Sequence, residues 1–105
     1  MKLCSIKYLI VLPIAIGAQK PNNIFITDLS EDQIGLEWNL ENNTSTEVEF
    51  KILYWPKDNP DALKIENTED FNVTLKNLTA GELYTVWIVT VADNTSEYSS
   101  IEQHT

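Results

Sequence analysis

Five asparagines, Asn42, Asn43, Asn72, Asn77 and Asn94, each stand two residues before a Ser or Thr. In a chain that enters the secretory pathway, that spacing makes the side-chain amide an acceptor for an N-linked glycan. Asn42 and Asn43 are adjacent, so that pair is expected to carry at most one glycan. The remaining chemistry is thin. One histidine, His104, sits beside the C-terminal Thr105, with Ser99 and Ser100 a few residues before it. A serine nucleophile needs a base that is itself held by a third group in a cleft, and a histidine at the fraying end of a chain does not supply that. The acids Asp58, Asp61, Glu66, Glu69 and Asp70 cluster in sequence. Their spacing matches no calcium loop built around a central glycine, and they read as solvated turn residues. The sequence therefore offers no catalytic residue, no cofactor-binding motif and no metal site.

Charge excludes another class. Sixteen Asp and Glu face seven Lys, and there is no Arg. A nucleic-acid surface needs clustered cations, and this chain has none. The acidity favours solubility and resists non-specific association. The only cysteine is Cys4, so the body of the chain must be held by apolar packing alone.

Residues 1–18 differ in kind from the rest. Met1, Lys2 and Lys7 give a basic start, and Tyr8 to Ala18 is apolar apart from Pro13. Ala15 and Gly17, or Ile16 and Ala18, can occupy the −3 and −1 positions of a cleavage site. This is the pattern of a secretory signal peptide, with the mature terminus expected between Ala18 and Lys20. The run is too short for the ~20 apolar residues of a membrane span, and no second such run follows. Residues 19–105 then form one domain, on the secreted or extracellular side of the membrane.

Seven short strands at turn-punctuated spacing are expected in that domain. Ile24 to Ile26 opens the first, which ends at Asp28. Ile34, Leu36 and Trp38 alternate in the second, and Phe50, Ile52 and Tyr54 in the third. Pro56 to Asp61 must turn. Leu63 and Ile65 mark a short fourth strand, with a polar break over 67–70. Phe71, Val73 and Leu75 form a fifth, facing away from Asn72 and Thr74. Tyr84, Val86 and Ile88 alternate in a sixth, and a weaker seventh begins at Tyr98. Period-two alternation with no helical periodicity points to an all-β, antiparallel, two-sheet Greek-key sandwich without a disulfide.

The run Leu78-Thr-Ala-Gly81-Glu-Leu-Tyr84 is the most specific local signal. Leu78 is expected to end a strand and Gly81 to permit a tight turn. The Tyr84 ring should fill the end of the core, with its hydroxyl bonded to backbone across the corner. That fixes which residues face in. With Tyr54 and Tyr84 inward, Leu53, Trp55, Trp87 and Val89 point outward on neighbouring strands. Two readings stay open for them. They form a contact surface, since tryptophan is enriched in binding hot spots, or Trp55 and Trp87 stack on each other and on Lys51 as a local stabiliser.

Trp38 on the second strand, Phe50-x-Ile52-x-Tyr54 on the third and the Leu78–Gly81–Tyr84–Val86–Ile88 corner together carry a family resemblance. The chain resembles a fibronectin type III domain across residues 20–105. That resemblance implies a first sheet of strands one, two and five and a second of strands three, four, six and seven. It also implies tandem use in receptors, adhesion proteins and matrix proteins. The sequon-rich, cysteine-free style is similar to repeats in receptor-type tyrosine phosphatase ectodomains. The integrin-binding Arg-Gly-Asp loop and the cytokine-receptor Trp-Ser-x-Trp-Ser box are both absent. The expectation is a non-catalytic extracellular recognition or adhesion module with a protein partner, secreted or part of a receptor ectodomain. The alternatives are a spacer repeat, or an ectodomain fragment of a receptor-type phosphatase.

Overall fold

A computed structural model describes residues 17–41 and 47–105. The leader up to residue 16 and the sequons at Asn42 and Asn43 lie outside the described residues. Seven strands follow in order: β1 Asn22–Leu29, β2 Ile34–Asn39, β3 Glu49–Pro56, β4 Lys64–Thr68, β5 Asn72–Leu75, β6 Leu83–Ala92 and β7 Thr95–His104. One 3-10 turn, Pro60–Ala62, stands between β3 and β4. Proline at its start suits such a turn, because its fixed φ is pre-set and its missing N–H is not needed there.

The strands form two antiparallel sheets, β1-β2-β5 and β4-β3-β6-β7. The alternating apolar residues close on each other between them. Ile34, Leu36, Trp38 and Leu75 from the first sheet meet Phe50, Ile52, Tyr54, Tyr84, Val86 and Ile88 from the second. Trp38 packs edge-on against Phe50 with ring centroids 5.2 Å apart. Phe50 in turn meets Phe71 edge-on at 5.0 Å. Such T-shaped pairs put the positive ring edge against the negative face.

Gly35 of β2 leaves no room for a side chain against β1. A Cβ there would lie 2.7 Å from Thr27 Oγ1 and 3.0 Å from the Asp28 Cβ. The bulge in β1 between Ile26 and Asp28 sits opposite it. The missing side chain is what lets the bulged strand close.

Three details depart from the sequence expectation. Leu78 does not end a strand. β5 stops at Leu75, and Leu78 is buried in the following connection, where its N–H donates to the Asp32 carbonyl at 2.9 Å. β4 runs on to Thr68, two residues into the expected polar break, because its backbone pairs with β3 from Tyr54 to Phe50 whatever its side chains are. The last strand is not weak. β7 pairs with β6 over ten consecutive residues, from Thr95 opposite Ala92 to His104 opposite Leu83. Its register is set by the two-residue turn Asp93-Asn94, with φ of 51° and 63°. Two positive φ angles match the twist of the flanking strands, and Asp and Asn tolerate them.

Candidate recognition face

The corner fixes the face. Gly81 takes φ of 76° with nothing within 4 Å of an added Cβ, so it is conformation and not space that requires glycine there. The turn brings Tyr84 back beneath it, and the Tyr84 hydroxyl accepts the Thr79 N–H at 2.9 Å. The Thr105 hydroxyl donates to the Thr79 carbonyl at 2.8 Å, tying the end of the chain to the same corner. Tyr54 lies beside Tyr84. Burial raises its phenol above the ordinary value of 10.0, and nearby Glu66 and then Tyr84 push it further the same way.

From Tyr84 onward every second residue of β6 is buried: Val86, Ile88, Thr90 and Ala92. The intervening residues form the outer face of the four-stranded sheet. Leu53 stands opposite Trp87, Lys51 opposite Val89 and Trp55 opposite Thr85. Thus Leu53, Trp55, Trp87 and Val89 share one face, and all four are half-buried. Trp55 and Trp87 meet at 5.9 Å between ring centroids, tilted by 53°.

The outer strands add two residues that sequence reasoning missed. Tyr98, opposite Val89 on β7, stacks on Trp87 at 4.3 Å with only 9° between the ring planes. Ile65, opposite Leu53 on β4, is 53% exposed, and Tyr98 is 46% exposed. Both belong to the face because hairpin register carries the outward positions across neighbouring strands. The Asp93-Asn94 turn was the available signal for Tyr98. Counting back two residues at a time from that turn places Tyr98 beside Val89. Tyr98 thus stacks on Trp87, a contact the local-stacking alternative did not include.

Charge is sparse and mixed on this face. Glu49 and Lys51 lie on β3, and Glu102 on β7 pairs with Lys57 at 3.2 Å. Both members of that pair are about half exposed, so it steadies the rim with little effect on stability. Among the described residues no three His, Cys, Asp or Glu gather as metal ligands. Glu66, Glu69 and Asp70 are solvated on β4 and the turn after it, and the Asp70 N–H is taken by the Thr68 hydroxyl. His104 is exposed on β7, and Ser99 donates to the Pro21 carbonyl.

The family model for the fibronectin type III domain matches residues 19–105. The chain belongs to the fibronectin type III family. Its fold is similar to a solved myokine structure, with a TM-score of 0.72 at 16% identity, covering 83% of this chain and 96% of that one. It is equally similar to a two-domain fibronectin type III segment of chicken tenascin, with a TM-score of 0.72 at 19% identity. That match covers 83% of this chain and 50% of the segment. A redesigned β-sandwich protein gives a TM-score of 0.66 at 17% identity, covering 83% of this chain and 96% of that one. Identities this low show a shared fold. No curated protein matches the sequence.

Fibronectin type III domains are modules typical of extracellular adhesion and receptor proteins. The sequons of this one can be placed on the fold. Asn72 is exposed on β5, on the outer side of the three-stranded sheet. Asn77 is exposed in the corner with φ of 59°, and Asn94 is exposed in the β6–β7 turn with φ of 63°. None of these three lies on the Trp55–Trp87–Tyr98 face. Among the described residues no helix is long and apolar enough to cross a membrane.

Proposed function

We propose that this fibronectin type III domain is a non-catalytic extracellular recognition module that docks a protein through the outer face of its four-stranded sheet. The observation that carries the reading is the Trp55–Trp87–Tyr98 row, flanked by Leu53 and the exposed Ile65. A monomer gains little by leaving so much aromatic and aliphatic surface in water. The rings hold one another in place, so little side-chain freedom is lost when a partner arrives. The face carries little net charge in a strongly acidic domain. It therefore suits a partner surface with an apolar centre and few charges. Glycans at Asn72, Asn77 and Asn94 would leave it bare, which supports docking there.

One feature of the geometry favours a second reading. Trp87 has Tyr98 on one side and Trp55 on the other, so its ring is largely used within the sheet. The row would then be a cross-strand stabiliser in a spacer repeat.

The two readings separate at Ile65 and Tyr98, the exposed members. Multimerised domain is applied to cells with and without protease treatment of their surface proteins, and binding is compared with Ile65→Ser/Tyr98→Ser. Under the recognition reading the variant loses no more than about 2 kcal/mol of unfolding free energy in urea, the cost of two cross-strand pairs. It also loses protease-sensitive binding by roughly thirty-fold, the loss expected for one hot spot of about 2 kcal/mol. A folded variant that binds as well as the parent would overturn the assignment of the face. A variant destabilised by much more than that margin would establish the row as structural.

A further inference from the structure

We propose that Gln19 is a modification site: removal of the leader after Ala18 exposes Gln19 as the terminus, and its side chain closes on its own α-amine to give a pyroglutamyl end. The proposal rests on the leader reading of residues 1–18 and is independent of the recognition face.

The fold shows where the chain can be cut without loss. Among the described residues Pro21 is the first buried one, and its carbonyl accepts the Ser99 hydroxyl at 2.8 Å. β1 begins at Asn22. A cut at or beyond Pro21 would therefore remove part of the packed body. Ahead of it, the Ala18 N–H donates to Thr95 Oγ1 at 2.6 Å, an exposed contact. The Thr95 hydroxyl keeps its own bond to the Ala92 carbonyl at 2.7 Å whether or not Ala18 is present. Cleavage after Ala18 thus releases the exposed Ala18–Thr95 hydrogen bond and leaves only Gln19 and Lys20 ahead of the anchored Pro21. The family match also begins at residue 19. Ile16 and Ala18 supply the small and aliphatic positions that such a cut needs.

The residue type then decides the chemistry. In an N-terminal glutamine the α-amine reaches the side-chain carboxamide carbon through a five-membered ring. The amine nitrogen attacks Cδ, the N–Cδ bond forms, the Cδ–Nε2 bond breaks, and Nε2 leaves as ammonia with a proton from the amine. No electrons change hands. An α-amine has a pKa of about 7.7–8.0, so roughly a tenth is the free nucleophile at neutral pH. The product is a neutral lactam in place of an ammonium, in a shallow cleft shared with Lys20, Pro21, Asn22, Glu41 and Ser99. Asparagine at the same place would need a four-membered ring and does not close.

The test is the N-terminus of material secreted by eukaryotic cells expressing residues 1–105. Mass spectrometry of the N-terminal peptide is expected to show a chain starting at residue 19 and lighter by one ammonia. It should resist stepwise N-terminal sequencing until pyroglutamyl aminopeptidase is added. Gln19→Asn should start at the same residue, lose no ammonia and sequence directly. A start at any other residue, or a Gln19 terminus still open after prolonged incubation at neutral pH, overturns the proposal.

Discussion

Removing one oxygen, in Tyr84→Phe, tests the corner from which every facing in the second sheet follows. The ring of Tyr84 is buried, and Phe keeps that packing. What is lost is the 2.9 Å bond from the Thr79 N–H. A neutral hydrogen bond contributes about 0.5–1.5 kcal/mol net, and an unmade bond in a sealed site costs up to about 3. The lower range applies here. Thr79 is exposed, and the corner opens to a cleft lined by Asn77, Leu78, Thr79 and both tyrosines. Water can then reach the freed N–H. The expected loss is about 1 kcal/mol, which in a domain of this size lowers the melting temperature by roughly 4–8 °C. Urea unfolding followed by tryptophan fluorescence measures it, with the slope of the transition unchanged because the same surface is exposed. An unchanged midpoint would mean the hydroxyl does not hold the corner. A loss of several kcal/mol would mean the ring itself has moved, and the inward register of Tyr84 would then be wrong.

The other tests follow from groups buried at cost. Thr90 is fully buried on β6, and its hydroxyl has no partner among the described residues. Thr90→Val should raise stability by about 1 kcal/mol in the same urea assay, because the desolvation penalty of an unpaired hydroxyl is removed. A fall in midpoint would show that the hydroxyl is bonded. The Tyr54 phenol is raised above its ordinary value by burial first, then by Glu66 and Tyr84. The folded state therefore keeps this proton after the unfolded chain begins to lose it. The stability contributed is fully present below pH ~10 and is lost as pH rises from there through the raised folded value. Tyr54→Phe should flatten that alkaline decline in a series of urea midpoints, and a decline of the same depth in the variant would refute the assignment.

The fold was legible because period-two alternation and the Leu78–Tyr84 corner act locally. The two-sheet arrangement and the strand membership of each sheet follow from them through the family resemblance. Where the expectation was short, backbone pairing had outweighed side-chain pattern. β7 reads as Thr-Ser-Glu-Tyr-Ser-Ser, with little alternation, yet it is fully paired because the Asp93-Asn94 turn aligns it with β6. The place of Ile65 and Tyr98 on the outer face is hidden in the sequence for the same reason. Their facing depends on register across two hairpins, and a residue read within its own strand carries no mark of that. Leu78 was read as a strand end because an apolar residue before a turn usually is one. Here it is pinned from outside the strand by the Asp32 carbonyl.

The separation of core from face shapes what the domain can vary. On β6 the inward residues Tyr84, Val86 and Ile88 are held by packing from the opposite sheet. The outward set Thr85, Trp87 and Val89 pairs with β3 and β7 of its own sheet. Substitutions in the second set leave the inter-sheet core untouched, and their cost is confined to cross-strand pairs worth roughly 0.2–1 kcal/mol each. The corner supplies the constraint that makes this division hold. While the Tyr84 hydroxyl and the Gly81 turn stay in place, β6 cannot slip by one residue, and a one-residue slip is the change that would exchange the two sets. A sandwich built this way can keep its core and change its outer face, which is the property a recognition module needs.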